Sequence, residues 1–257
     1  MKVLLTNDDG FEAEGMQRFH DVLSKRFECF IVAPDQGRSC CGHAVTTSSA
    51  LDVVQQHERA WTVSGTPADC IRIGLRWLKL QPDLVISGVN QGGNLGLDII
   101  HSGTVAAARE AYILGIPSIA ISQYMRRDVA RDWSMTGRRA LFVLESLLDR
   151  KDSQLGFWNV NLPALLPEMR DMSFPITECA PEKQSVAFEF EVDELESDVK
   201  DPNLSSDDTK RNLRVKYKSN YQLRPRAEGS DVDLCFAGHA TLSRLQLGDF
   251  LGDWPVP

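Results

Sequence analysis

The sequence predicts an α/β fold: a Rossmann-like, doubly wound, mostly parallel sheet with a C-terminal β-hairpin extension. Two observations lead to this prediction. Short, continuous apolar runs recur along the chain, as expected for parallel strands that are buried on both faces. Segments with helical spacing of apolar residues separate these runs, and strand–helix–strand units of this kind are right-handed, with helices covering both faces of the sheet.

The elements follow from these patterns in chain order. Strands are predicted at 3–6, 29–33, 61–63, 84–87, 118–122 and 157–161. Helices are predicted at 15–26, 67–80, 104–114 and 136–150. Thr66 as N-cap and Pro67 at the first helical position begin the second helix. Gly115, with Pro117 just beyond it, ends the third.

The pattern changes after residue 165. Segments 186–192 and 213–223 alternate in polarity like antiparallel strands, and the stretch 193–208 between them is strongly acidic, which predicts a solvated loop. We therefore predict a Rossmann-like catalytic domain over 1–165 and a hairpin-rich extension over 166–257. Because two strands alone are only marginally stable, we expect the extension to pack on a second subunit.

Composition limits the functional classes. The 257 residues include 28 Lys and Arg against 36 Asp and Glu, a formal net charge of −8, which argues against a surface that binds duplex nucleic acid. No apolar stretch reaches about 18 residues, and the start lacks a signal-peptide core, so we expect neither a membrane span nor export. The expected location is the cytoplasm, where the six cysteines would be reduced.

Polar residues follow three of the predicted strands. Asp8 and Asp9 come after the first strand, Ser39 after the second, and Asn90 after the fourth. The carboxyl ends of parallel strands meet at one edge, and oxygen ligands of these types suit Mg²⁺, Mn²⁺ or Ca²⁺. Adjacent aspartates also repel each other unless a cation neutralises them. The alternative is that one aspartate caps the next helix while Gly10 turns the chain; the combination with Ser39 and Asn90 favours a metal site.

A phosphate-binding cradle is predicted nearby. The candidate residues are Gly92, Gly93, Asn94, Ser102, Gly103 and Thr104. A glycine-rich backbone exposes N–H groups, and a helix start adds hydroxyls and the positive end of the helix dipole. The pattern is neither a P-loop nor a dinucleotide fingerprint. The simpler alternative is that Ser102 or Thr104 only caps the alanine-rich helix. A metal beside a phosphate cradle is the arrangement used for metal-assisted phosphoryl transfer.

Five motifs together resemble the SurE survival-protein family. They are NDDG at 7–10, APD with RS at 33–39, GTPADC at 65–70, SGVN with Gly92, Asn94 and Gly96 at 87–96, and SGT at 102–104. Their order and spacing match over residues 1 to about 122. Weaker matches follow at NVNLP, 159–163, and at Ser230-Asp231, whereas Cys40-Cys41, His101 and the acidic stretch depart from the family pattern.

The resemblance implies a divalent-metal-dependent nucleotidase that releases phosphate from nucleoside monophosphates. It also implies a cytoplasmic homodimer or homotetramer with an exchanged C-terminal element. One Mg²⁺, Mn²⁺ or Ca²⁺ per subunit would be held by Asp8, Asp9, Ser39 and Asn90.

For catalysis we expect Asp8 and Asn90 to orient the attacking water, and Ser102 with the glycine-rich backbone to stabilise the developing phosphate charge. Two rival functions remain open at this point. One is a non-catalytic nucleotide-binding module, and the other is an exopolyphosphatase that uses the same site.

Overall fold

The computed structural model describes residues 1–150, 156–164, 174–185, 189–194, 213–218 and 221–247. They divide into two compact units. The first contains the described residues of Met1–Lys183 and Ala227–Pro257, and the second contains those of Gln184–Arg226. No helix in these ranges combines the length and hydropathy that a membrane span requires.

One sheet organises the described part of the first unit. Its strands are β1 (Lys2–Thr6), β2 (Glu28–Pro34), β3 (Val53–His57), β4 (Ala60–Val63), β5 (Leu84–Gln91), β6 (Ser118–Gln123), β7 (Phe157–Leu162), β8 (Ile176–Glu178) and β11 (Ala240–Leu245). The spatial order is β3-β4-β2-β1-β5-β6-β7-β11-β8. The six central strands, β4 to β7 in this order, are all parallel. The predicted mostly parallel, doubly wound sheet is confirmed.

Helices cover both faces of the sheet. They are α1 (Glu14–Leu23), α2 (Pro67–Arg72), α3 (Asp98–His101), α4 (Gly103–Ile113), α5 (Trp133–Leu148) and α6 (Asp231–Phe236). Successive residues of β1 point to opposite faces: Val3 and Leu5 join the core formed with α1 and α5, whereas Leu4 joins the core formed with α2 and α4. This double burial explains why the central strands appear as continuous apolar runs in the sequence.

The strand order creates a topological switch point between β1 and β5. The chain runs outward from β1 through β2 to β4 and then returns to β5 on the other side of β1. In open α/β sheets, the ligand crevice forms at the carboxyl ends of the strands at such a point. Asp8 and Asp9 follow β1 directly, and Asn90 lies near the end of β5, so the fold brings these residues to this edge.

Several element predictions need correction. The helix predicted over 67–80 is α-helical only to Arg72 and continues as a π-helix over Ile73–Trp77, in which the Leu78 N–H donates to the Ile73 carbonyl, five residues back. Strand β3 was missed because it is mostly exposed and lacks a continuous apolar run. Helix α5 begins at Trp133 rather than 136, because the Asp132 side chain caps it by accepting the Met135 N–H.

The predicted domain boundary at 165 is not where the fold divides. Strand β11 pairs antiparallel with β7 and parallel with β8, so chain from beyond residue 165 completes the main sheet. These pairings cover what would otherwise be the bare edge of β7. The compact unit that separates is the shorter range, Gln184–Arg226.

The second unit contains the predicted hairpin strands. They are β9 (Glu189–Glu194) and β10 (Leu213–Lys218), which pair antiparallel with Tyr217 opposite Phe190 and Val215 opposite Val192. The predicted strand starts at 186, and residues 186–188 lie outside the described residues, as does 195–208 of the acidic stretch. The end of the second predicted strand is instead a short 3₁₀ turn, Tyr221–Leu223.

Candidate active site

The loop after β1 presents the two aspartates at the sheet edge. The Asn7 side chain closes this turn, because its Nδ2 donates to the Gly10 carbonyl at 2.8 Å and its Oδ1 accepts from the Gly10 N–H at 3.2 Å. Gly10 has φ +101°, and a Cβ there would lie 3.0 Å from the Gln36 carbonyl carbon. The loops after β1 and β2 therefore pack in close contact.

Asp8 faces the start of α4. Its Oδ1 accepts a hydrogen bond of 2.5 Å from the Thr104 hydroxyl, and the residue is only 6% exposed. The pKa of Asp8 is raised to about 6, mainly by burial and to a smaller extent by the charge of Asp9, while the hydrogen bond from Thr104 opposes the increase. This carboxyl group is thus largely desolvated.

Asp9 faces the end of β5. Its Oδ2 accepts the Gln91 backbone N–H at 2.8 Å, and burial raises the pKa of this second carboxyl as well. Among the residues that the structure describes, no Lys, Arg or His forms an ion pair with either aspartate. Two adjacent, desolvated carboxylates without a cation are a destabilising arrangement that a bound divalent ion would relieve.

The other two predicted ligands supply neutral oxygens. The Asn90 amide donates to the Gly92 carbonyl at 2.9 Å, and Ser39 lies on the exposed loop after β2. The Arg38 N–H donates to the Asp8 carbonyl at 2.7 Å, which holds that loop beside the aspartates. Among the described residues, none donates a hydrogen bond to Asp9 Oδ1, Asn90 Oδ1 or the Ser39 hydroxyl oxygen, so these three oxygens can bind a cation. This donor set fits a hard divalent cation.

The predicted cradle at the start of α4 lies against Asp8. Ser102 is the N-cap, and its Oγ accepts the Val105 N–H at 3.0 Å. A Cβ on Gly103 would lie 2.9 Å from the Asp8 Cβ and 3.0 Å from the Cys41 Sγ. Glycine therefore permits the positive end of α4 to approach the carboxylate, and any side chain would fill that space.

Asn94 has a different placement from the one predicted. It is 8% exposed; its Nδ2 donates to the Ser122 hydroxyl at 2.7 Å, and its carbonyl accepts from the Asn159 and Asn161 amides. The structure thus uses Asn94 to anchor the glycine-rich loop to β6 and β7. Gly92 and Gly93, by contrast, are partly exposed at the sheet edge.

Asp231, which is not among the predicted site residues, supports the same loop. This fully buried residue accepts the Gly96 N–H at 2.8 Å through Oδ2 and the Glu182 N–H at 2.8 Å through Oδ1. It begins α6, 135 residues away from Gly96 in sequence. The one sequence feature that could have indicated this role is the Ser230-Asp231 motif, which resembles the family pattern.

The loop that carries Ser39 is also anchored to α4. Glu110, 2% exposed, accepts from Arg72 Nε at 2.6 Å and lies 2.8 Å from His43 Nε2. Arg38, on the same loop, donates to Asp35 at 3.1 Å and to the Ser64 carbonyl at 2.9 Å. These contacts fix the Ser39 loop beside the cradle.

Comparison with known proteins decides the family. The family model described as "Survival protein SurE" matches residues 3–185. The chain belongs to the SurE family. A relative from Synechocystis sp. is 36% identical over 96% of this chain and 100% of its own length. The 5′-nucleotidase SurE of Syntrophus aciditrophicus is 42% identical over 64% of this chain and 63% of its own length.

A solved structure supports the fold of this SurE-family chain. The SurE protein from Aquifex aeolicus superposes with a TM-score of 0.76 and 29% sequence identity, covering 98% of this chain and 96% of its own. The match of the family model extends through all five motifs that predicted the resemblance.

Proposed function

We propose that this chain is a divalent-metal-dependent phosphomonoesterase that releases phosphate from nucleoside monophosphates. The observation that carries the proposal is the desolvated Asp8–Asp9 pair, which lies at the switch point of the sheet against the N-terminus of α4. Relatives from Syntrophus aciditrophicus and Neisseria gonorrhoeae carry the name 5′-nucleotidase SurE, which supports the same reaction class.

Asp8, Asp9, Ser39 and Asn90 would hold one Mg²⁺, Mn²⁺ or Ca²⁺. Such an ion supplies a Lewis acid that polarises the phosphate and the attacking water. The carboxylate of Asp8 and the free amide oxygen of Asn90 would orient that water. Because the Thr104 hydroxyl donates to Asp8 Oδ1, this water-orienting carboxylate is fixed relative to the start of α4.

The start of α4 would hold the phosphate. The Ser102 oxygen already accepts the Val105 N–H, but its hydroxyl hydrogen remains to donate to a phosphate oxygen. The N–H groups at the beginning of this 11-residue helix add preorganised donors for the developing negative charge. The Gly92 N–H, predicted for the cradle, donates instead to the Gln123 carbonyl at 3.1 Å. Thr104 donates to Asp8, so its part is mainly to position that carboxylate.

Phosphate release tests this proposal. The chelated protein should release no phosphate from 5′- or 3′-nucleoside monophosphates, and added Mg²⁺, Mn²⁺ or Ca²⁺ should restore the reaction. Asp9→Asn should lower kcat by at least about 10²-fold if the carboxylate is a ligand, since even outer partners of a metal ligand typically contribute 10–100-fold. Tight nucleotide binding without turnover under all metal conditions would show a binding module instead.

We also propose that the chain forms a homodimer or homotetramer through the β9–β10 pair. Phe190, Val192, Val215 and Tyr217 lie on one face of this pair and are 53–69% exposed. The opposite face pairs Lys216 with Glu191 and Lys218 with Glu189 across the strands. A two-stranded ribbon with one apolar face needs a covering surface, and a second copy of this chain is the proposed one. All six cysteines are free, which suits the proposed cytoplasmic location.

A further inference from the structure

A pocket of about 640 Å³ opens beside Asp9. Its walls are the first turns of α1, the segment 130–134 that leads into α5, and Gln91 at the end of β5. Its volume falls within the roughly 300–1,000 Å³ typical of small-molecule sites. The cation and the phosphate placed so far would not occupy this pocket.

The pocket and the phosphate cradle lie on opposite sides of the aspartate pair. Asp8 points to the start of α4, which packs on one face of the sheet. Asp9 bonds to Gln91 and lines the pocket, whose helices α1 and α5 pack on the other face. A phosphate monoester bound at α4 could therefore extend its leaving group past Asp9 into the pocket.

The charges of the pocket do not suit a polyanion. Asp9, Glu14 and Asp132 line it together with Arg18 and Arg131, so carboxylates outnumber guanidinium groups by three to two. Arg18 already forms ion pairs, from Nε to Glu14 Oε1 at 3.9 Å and from Nη1 to Asp21 Oδ2 at 3.3 Å. A further row of phosphates would find no excess of positive charge here, which disfavours a polyphosphate chain.

Planar groups line the same pocket. The Trp133 indole packs against Gly15, where a Cβ would lie 2.9 Å from the ring. Arg131 Nη1 donates to the Gln91 side-chain oxygen at 3.3 Å. A guanidinium group stacks on flat ring systems, and an amide both donates and accepts hydrogen bonds. An uncharged heterocycle with a polar edge is complementary to this lining.

We infer that this pocket binds the nucleoside of a nucleoside monophosphate, with Arg131 and Gln91 as specificity-determining contacts. The inference rests on the proposed function, and it adds the side of the active site on which the nucleoside lies. It also separates the nucleotidase from the exopolyphosphatase that could use the same metal centre.

The first experiment compares two substrates. A nucleoside 5′-monophosphate fills the pocket, whereas p-nitrophenyl phosphate lacks ribose and base. In Arg131→Ala and Gln91→Ala, the ratio of kcat/KM for the nucleotide to kcat/KM for p-nitrophenyl phosphate should fall about five- to tenfold, which is the effect of losing one hydrogen bond. Most of this change should be an increase in the KM for the nucleotide. Arg127→Ala, three residues before the segment 130–134 and outside the pocket lining, should leave the ratio at the parental value. An unchanged ratio in both pocket variants would overturn the inference.

A second experiment separates this inference from the proposed function. Calorimetry measures the binding of adenosine and guanosine, which carry no phosphate, to the parent and to Arg131→Ala. Weaker nucleoside binding in the variant would support the pocket even if the parent releases no phosphate, in which case only the proposed function fails. Equal binding to both proteins, or faster cleavage of short polyphosphate than of nucleotides, would contradict the pocket assignment.

Discussion

At the scale of single residues, the site depends on the carboxylate of Asp8, which the fold buries with no ion pair to a Lys, Arg or His among the described residues. Burial raises the pKa of Asp8 from 3.8 to about 6. A carboxyl whose pKa is higher in the folded state stabilises the protein below its unfolded pKa, and this stability is lost as the pH rises through the folded pKa. The chelated protein therefore loses stability between about pH 4 and pH 6 because of this group.

Asp8→Asn should remove that loss. At about 1.4 kcal/mol per pKa unit, the chelated variant should be more stable than the chelated parent by about 3 kcal/mol at pH 7.5, and the difference should vanish near pH 4. Urea unfolding at both pH values measures this. The exposed Asp52→Asn serves as control. If the chelated parent is as stable as the variant at pH 7.5, then the ionised Asp8 carboxylate does not destabilise the folded protein, and the prediction is wrong.

Ser102 combines a structural role with a proposed catalytic one. As N-cap of α4, its replacement by alanine should cost roughly 0.5–2 kcal/mol of stability. Because its hydroxyl is also proposed to donate to the phosphate, kcat per folded molecule should fall by about 10²–10³. Ser230 caps α6 in the same way, accepting the Asp233 N–H at 3.3 Å. Ser230→Ala should therefore lower the stability but leave kcat unchanged. If kcat is the same in the Ser102 and Ser230 variants, Ser102 only caps its helix and has no catalytic role.

At the scale of elements, the junction of β5 with β6 depends on Gly88. Its φ is +143°, and a Cβ would lie 2.2 Å from the Ile121 carbonyl oxygen. Gly115 also has a positive φ, +86°, but has open space around it. Gly115→Ala should therefore cost only the backbone strain of about 1–2 kcal/mol, whereas Gly88→Ala should cost clearly more. Thermal melting of both variants tests this, and equal losses would remove the steric argument.

The elements also show how far sequence can predict this molecule. The central strands and the residues at their ends were predictable, because double burial produces continuous apolar runs and parallel strands end at one edge. The hydrogen bond from the Gly96 N–H to Asp231 and the pairing of β11 with β7 were not predictable, since both join segments that are distant in sequence and have no local pattern. The glycine-rich run that contains Asn94 predicts a place in the cradle, but the fold buries this residue, and its amide donates inward to Ser122.

At the scale of the whole molecule, the apolar face of the β9–β10 pair predicts self-association. Val215→Asp places a charge on that face, and it should shift the protein to a lower molar mass in light scattering because a desolvated carboxylate opposes docking. Lys216→Ser changes the opposite, charged face and should leave the molar mass unchanged. An identical assembly in both variants would exclude this face as the contact between copies.

The central claim is that the switch-point edge of the sheet holds a single divalent cation. Anomalous diffraction from crystals soaked in Mn²⁺ tests it most directly. We expect one strong peak at about 2.0–2.6 Å from carboxylate oxygens of Asp8 and Asp9, with Asn90 and Ser39 in the same coordination shell, and no such peak in Asp8→Asn crystals. A peak elsewhere, or no peak from crystals of protein that releases phosphate in Mn²⁺, would contradict the claim.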